Sequence, residues 1–98
     1  MKRTATAAEK RHMARAKKLG CALCEHLGLG ETPAEIHHAR TKVGWGRDGH
    51  TSVIPLCPEH HRGNTGIHAM GRSQFAAMYG ISEIDLLTSV NESLGVTA

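Results

Sequence analysis

The apolar positions of this chain fall into short groups, and each group predicts a small element rather than a long one. Residues 5–19, ATAAEKRHMARAKKL, are rich in Ala, Lys and Arg, which give up little side-chain freedom in a helix. The apolar stripe along that segment is thin, so the predicted helix packs lightly and leaves much of its surface to solvent. Gly20 is placed to stop it, since glycine readily takes the left-handed conformation that closes a helix. Residues 21–34 read as a knuckle and loop, with Gly28, Gly30 and Pro33 as punctuation. Ala34–Arg40 predicts a short strand, and Gly44, Gly46 and Gly49 mark an irregular connection. Ser52–Leu56 is a second β-prone run, which Pro55 confines to an edge or a strand end. Cys57-Pro58-Glu59-His60-His61 predicts a helix start, because a proline in the first turn removes an amide proton that has no partner there. Arg72–Tyr79 predicts another helix, ended by Gly80. Ser82 can cap a last one, on which Ile84, Leu87, Val90 or Asn91, and Leu94 recur at helical spacing. The predicted order is helix, two strands, three helices, with residues 1–4 fraying.

Composition changes this picture by showing how little holds it together. A chain of 98 residues suits one domain with a modest core, and this one has a single Phe, Trp and Tyr against eleven glycines. Such a domain needs a staple, either disulfides or a metal. Cys21, Cys24 and Cys57 make an odd count, and Cys21-x₂-Cys24 has the spacing of a zinc knuckle. No apolar leader follows Met1 and no run reaches membrane-spanning length, so the expectation is a reduced, cytoplasmic setting that suits thiolates on zinc. Residues 1–18 carry seven basic side chains (Lys2, Arg3, Lys10, Arg11, Arg15, Lys17 and Lys18) against Glu9 alone, within a net charge of +3. Residues 80–98 carry Glu83, Asp85 and Glu92 with no Lys or Arg. This asymmetry fits a basic face for a polyanion; an ordinary solvated helix fits it equally.

Six of the eight histidines fall between positions 37 and 68, interleaved with Cys57. One subset pairs Cys21-x₂-Cys24 with Cys57-x₂-His60. Two knuckles of thiolate and imidazole far apart in sequence are what a closed tetrahedral zinc site requires. The other subset is His37, His38 and His61, with His68 as a further candidate. His61 follows an expected zinc ligand, so closing the zinc site fixes its position. On a strand, His37 and His38 point to opposite sides, so one can ligate a metal while the other faces a substrate. That division suits phosphodiester hydrolysis, in which an imidazole takes a proton from water and a cation stabilises the phosphate. An ordinary zinc pair or a surface pair would leave the same His-His signature.

The order C-x₂-C, then an H-H pair, then L-C-x₂-H-H resembles the HNH (ββα-metal) endonucleases. Within that class the sequence more closely resembles the Ref-type, RecA-dependent nucleases of phages and prophages. That likeness is carried by LGCALC (19–24), LGLGETPAEIHH (27–38), IPLCPEHHR (54–62) and IHAMG followed by F and YG (67–80). The resemblance implies a small α+β fold: a basic N-terminal helix over residues 1–18, then a zinc-stabilised HNH nuclease domain over 19–98 ending in helices. It implies that Cys21, Cys24, Cys57 and His60 hold a structural Zn²⁺, that His37 and His61 hold a catalytic divalent metal, and that His38 is the general base. His68 matches a family position that completes the metal site or contacts phosphate; His50 matches one without an assigned role. Ser52 stands where HNH proteins carry the middle Asn, and Asn64 is a candidate substitute.

Two functions of different kind follow. In the first, the protein is a metal-dependent DNA endonuclease in the bacterial host of a phage or prophage, acting in recombination with a RecA filament as candidate partner. Arg11, Arg15, Lys18, Arg40, Lys42, Arg47 and Arg62 would hold the DNA backbone, making binding salt-sensitive and weakly sequence-specific. The catalytic ion would be Mg²⁺, Mn²⁺ or a second Zn²⁺, with imidazole ligands favouring a transition ion. In the second, it is a non-catalytic zinc module that binds nucleic acid, a reading that Ser52 favours and the retained His37, His38 and His61 oppose. A zinc peptidase is excluded at the motif level: H-E-x-x-H is absent, and H-x-x-E-H fails because position 56 is Leu.

Overall fold

The computed structural model describes residues 6–39 and 52–95. Their elements are α1 (Ala7–Lys18), α2 (Ala22–His26), β1 (Glu35–His38), β2 (Val53–Leu56), α3 (Pro58–Arg62), α4 (Ile67–Met70), α5 (Arg72–Tyr79) and α6 (Glu83–Leu94). The result is a small α+β fold around a two-stranded antiparallel sheet, with Glu35 opposite Leu56 and His38 opposite Val53. A capping box opens α1: the Thr6 hydroxyl accepts from the Glu9 amide at 3.1 Å, and the Glu9 carboxylate accepts from the Thr6 amide at 2.8 Å. Gly20 follows its end with φ of 81°. A side chain there would also meet Glu31 and the Thr32 carbonyl, each 3.1 Å from where its Cβ would lie.

All four residues of β2 are buried, and α1, α2, α3 and α6 all pack against this strand. Pro55 lies opposite Ile36 and is fully buried. It is tolerated because each strand of a two-stranded sheet has an unpaired side that needs no amide donor. Leu23, Ile54, Leu56, Phe75 and Leu86 are the large side chains at the centre. From α1 only His12 and Ala16 are buried, in keeping with its thin stripe, and the Arg15 guanidinium donates to the Leu94 carbonyl at 2.9 Å, tying α1 to the end of α6.

The observed elements differ from the predicted ones in four places. The knuckle contains α2 and the segment before α5 contains α4, helices of five and four residues that are too short to register as a periodic pattern. The first strand is narrower than 34–40, and Arg40 lies outside the described residues. The buried stripe of α6 is Glu83, Leu86, Leu87, Val90 and Leu94, whereas Ile84 is 49% exposed. The helix is turned so that a carboxylate, not an isoleucine, faces inward at its first turn. Its partner lies in the site below.

Candidate metal centres

Two one-turn helices build the first centre in the same way. Cys21 is the N-cap of α2 and Cys57 the N-cap of α3, and in each case the second ligand, Cys24 or His60, follows three residues later. N-cap and third-position side chains of a helix face each other across its first turn, the geometry that a capping box exploits. In α2 the Cys24 amide donates to the Cys21 sulfur at 3.3 Å. The His60 Nδ1 lies 3.8, 3.5 and 3.3 Å from the sulfurs of Cys21, Cys24 and Cys57, and the Cys24 and Cys57 sulfurs are 3.9 Å apart. Zn–S bonds of about 2.3 Å and Zn–N bonds of about 2.0–2.1 Å at tetrahedral angles give edges of about 3.8 Å for S–S and about 3.5 Å for S–N. The four side chains therefore outline the tetrahedron of a structural metal such as zinc, and they form one of the two ligand clusters among the described residues. Burial pushes the Cys21 thiol up to about 11, so without a cation Cys21 favours its neutral thiol, and a bound cation reverses that preference.

Surrounding groups hold this centre from outside. Tyr79 of α5 lays its ring edge-on to His60, with centroids 5.5 Å apart, and its hydroxyl donates to the Thr65 carbonyl at 2.8 Å. The Glu59 carboxylate accepts from the Thr65 amide and hydroxyl at 3.0 and 2.6 Å, which lowers its pKa. These contacts close the turn between α3 and α4. Gly66 lies inside that turn so tightly that a Cβ would fall 2.6 Å from the Glu59 carbonyl oxygen and 2.8 Å from the backbone carbons of His60 and His61.

The second centre is a triangle of imidazoles from β1, α3 and α4. The ring centroids of His37, His61 and His68 are 5.3, 5.1 and 4.8 Å apart, and the three side chains can each offer one ligand atom within 4.8 Å of the others. The Nε2 atoms of His61 and His68 are 3.1 Å apart. Two imidazoles on one ion at about 2.0–2.1 Å are separated by about 2.8–3.4 Å, from right-angled to tetrahedral geometry, so this spacing is compatible with a shared cation. Burial, then the neighbouring His37 and His61, lower the pKa of His68, which favours the neutral form that can ligate.

Carboxylates grip two of these rings from behind. His61 Nδ1 lies 2.9 Å from Glu35, which also accepts from Arg62 at 2.7 to 3.0 Å. The Arg62 guanidinium, then His61, hold the Glu35 carboxyl down at about 2. His37 Nε2 lies 2.6 Å from Glu83 of α6, with both side chains buried, while Arg72 Nη1 approaches the other Glu83 oxygen at 3.7 Å. Among the described residues, His37 Nδ1 is buried without a hydrogen-bond partner. Glu35 lies within the LGLGETPAEIHH segment but no ligand spacing singles it out, and Glu83 lies in no motif. Glu83 follows Ser82 and reads from sequence as an acid of a helix's first turn, so only tertiary packing identifies it.

His38 ends β1 on the exposed side while His37 is buried. His37, His38, His68, Arg72 and Glu83 line one open cleft of about 340 Å³. Ser52 joins the ladder through its carbonyl, which accepts from the Ala39 amide at 2.8 Å; Asn64 is exposed in the turn after α3. Of the basic residues expected to hold DNA, Arg11 and Lys18 are exposed on α1, Arg15 engages Leu94, and Arg62 engages Glu35. Arg40, Lys42 and Arg47, with His50, lie outside the described residues.

This small α+β fold gathers a Cys₃His cluster that could hold a structural metal such as zinc, and beside it three histidines spaced as metal ligands could be. The sequence matches the family described as recombination enhancement, RecA-dependent nuclease, over residues 5–95, and the chain belongs to that family. No curated protein matches it. Among the described residues no helix is long and apolar enough to cross a membrane.

Proposed function

We propose that this protein is a metal-dependent DNA endonuclease of the HNH (ββα-metal) type, acting on RecA-associated DNA during recombination. One observation carries this reading: His38 opens on the same cleft as His37 and His68, two members of a cluster with metal-site geometry. A purely structural zinc module needs the Cys₃His cluster alone. The succession β1, β2, α3 supports the HNH assignment, because the proposed ligands and base come from the end of β1 and the start of α3. Family membership supports the substrate and the link to RecA.

In this reading Cys21, Cys24, Cys57 and His60 hold structural zinc, and His37, His61 and His68 hold the second ion. A divalent cation there would polarise the scissile phosphate and stabilise charge on the leaving oxygen. The His38 imidazole takes the proton of the attacking water, while His37, on the same short strand, keeps the base in register with the metal centre. Glu35 orients His61 and leaves its Nε2 lone pair facing inward. Arg11 and Lys18, exposed on α1, are proposed to contact phosphate, and Arg40, Lys42 and Arg47 are proposed on charge alone.

The test is cleavage of supercoiled, linear and RecA-coated DNA by zinc-loaded protein with Mg²⁺, Mn²⁺ or added Zn²⁺. Strand cleavage that needs added metal and is stimulated by RecA is the expected result. Binding without cleavage under every metal and with RecA would contradict the proposal.

A further inference from the structure

We infer that Glu83 is a positioning residue for the imidazole centre: it holds the Nε2–H of His37 so that the Nδ1 lone pair faces the metal. This rests on the proposed metal-binding role of His37, His61 and His68. An imidazole can present either nitrogen to a cation, and the hydrogen bond made by the other nitrogen decides which. Here the choice is visible in the surroundings of the ring. Nε2 is 2.6 Å from a Glu83 oxygen, too close for anything but a hydrogen bond. A carboxylate accepts and the ring donates, so Nε2 carries the proton and Nδ1 keeps its lone pair. That Nδ1 is buried and has no hydrogen-bond partner among the described residues, although its ring packs edge-on against both His61 and His68. Buried polar atoms are rarely left in that state without a function or an ion to satisfy them.

The arrangement also explains a feature of α6 that burial of apolar surface does not. Ile84 is exposed while Glu83 is 5% exposed, the reverse of what the hydrophobic effect alone would select. The helix sets an acid against the back of the site, and Arg72 approaches its second oxygen at 3.7 Å, offsetting part of the cost of burying charge. His61 is held in the same manner by Glu35 at 2.9 Å. Two elements distant in sequence, β1 and α6, thus grip two of the three rings from outside. The alternative is that Glu83 is itself a metal ligand through its second oxygen, which is buried without a hydrogen-bond partner among the described residues; replacement by glutamine separates the two roles.

The experiment uses protein with one equivalent of Zn²⁺ in its Cys₃His cluster, titrated with Co²⁺ and followed by visible absorption. Zinc outcompetes cobalt for the thiolates, so the signal reports the imidazole centre. Removing an outer partner of a metal-bound histidine weakens metal binding by about 10–100-fold, and that loss is expected for Glu83→Ala. Glu83→Gln keeps a carbonyl that can accept from Nε2–H, so its affinity should stay close to that of the parent. ¹⁵N spectra of histidine-labelled, cobalt-free protein should place the His37 proton on Nε2 in the parent and in Glu83→Gln. Should Glu83→Ala fail to fold, these two proteins still decide the matter. Parental cobalt affinity in Glu83→Ala, or an Nδ1–H tautomer in the parent, would overturn the inference. So would a loss in Glu83→Gln as large as in His37→Ala, which would make Glu83 a ligand. If the parent itself binds no cobalt, the proposed metal centre fails, while the His37 tautomer independently decides what Glu83 does to the ring.

Discussion

Replacing Cys57 with serine removes one corner of the Cys₃His tetrahedron and leaves the other three side chains in place. Three features of the structure set the magnitude. Cys57 is 6% exposed, so a serine hydroxyl there is shut away from water and is a poor ligand at neutral pH. Of the sixteen apolar residues buried among the described part of the chain, three are the cysteines and three are alanines, leaving few large side chains to compensate. A structural zinc in finger-like peptides binds with about 10–16 kcal/mol, so an even share for one of four ligands is about 2.5–4 kcal/mol. For a domain of this size the whole stability is about 5–15 kcal/mol, and a weak core places this one toward the lower end. We therefore expect Cys57→Ser to lose its bound zinc and its cooperative thermal transition together. The assay pairs circular dichroism with zinc stoichiometry, with chelation of the parent as the reference for the zinc-free state. A Cys57→Ser protein that melts cooperatively without zinc would refute the structural role of the cluster.

Two further perturbations probe separate parts of the fold. Gly66→Ala should cost about 1–3 kcal/mol, as overpacking does, because its Cβ would fall against the backbone of α3 rather than a yielding side chain; chemical denaturation measures it, and an unchanged midpoint would contradict the close approach. Reversing Lys10, Arg11 and Lys18 together should weaken DNA binding at every sequence and reduce the slope of log affinity against log salt by about 0.9 for each phosphate that is no longer neutralised. Arg15 is left out of that variant because its hydrogen bond to Leu94 would confound binding with stability. An unaltered salt slope would leave α1 as a solvated face.

Much of the candidate site was legible because its ligands come in local pairs. Cys21-x₂-Cys24 and Cys57-x₂-His60 are spaced by one helical turn, and His61 is bound to its position by adjacency to His60. The His37–His38 pair could be divided between two sides of a strand from the two-residue period alone. What could not be read depends on contacts distant in sequence. Glu35 reaches His61 across 26 positions and Glu83 reaches His37 across 46, and no local pattern distinguishes either acid from a solvated one. In α6 the apolar periodicity found Leu87, Val90 and Leu94, which are buried, but at the first turn the pairing with His37 puts Glu83 inside and leaves Ile84 exposed. The helices α2 and α4 were missed because a single turn has no period to detect, and Arg15 read as a free cation because its acceptor is a backbone carbonyl 79 residues away.

The central proposal is that neighbouring histidines on one short strand divide the chemistry, His37 binding metal and His38 accepting the proton. Cleavage and metal affinity measured together for His37→Ala and His38→Ala test it most directly. We predict that His37→Ala binds the second ion weakly and regains part of its activity with excess metal. His38→Ala should bind the ion as the parent does yet cleave about 10²–10⁴-fold more slowly, the usual contribution of a general base, with no rescue by metal. If His38→Ala is instead the variant that loses metal and recovers when it is added, the two roles are reversed. If both variants cleave DNA like the parent, the endonuclease proposal fails.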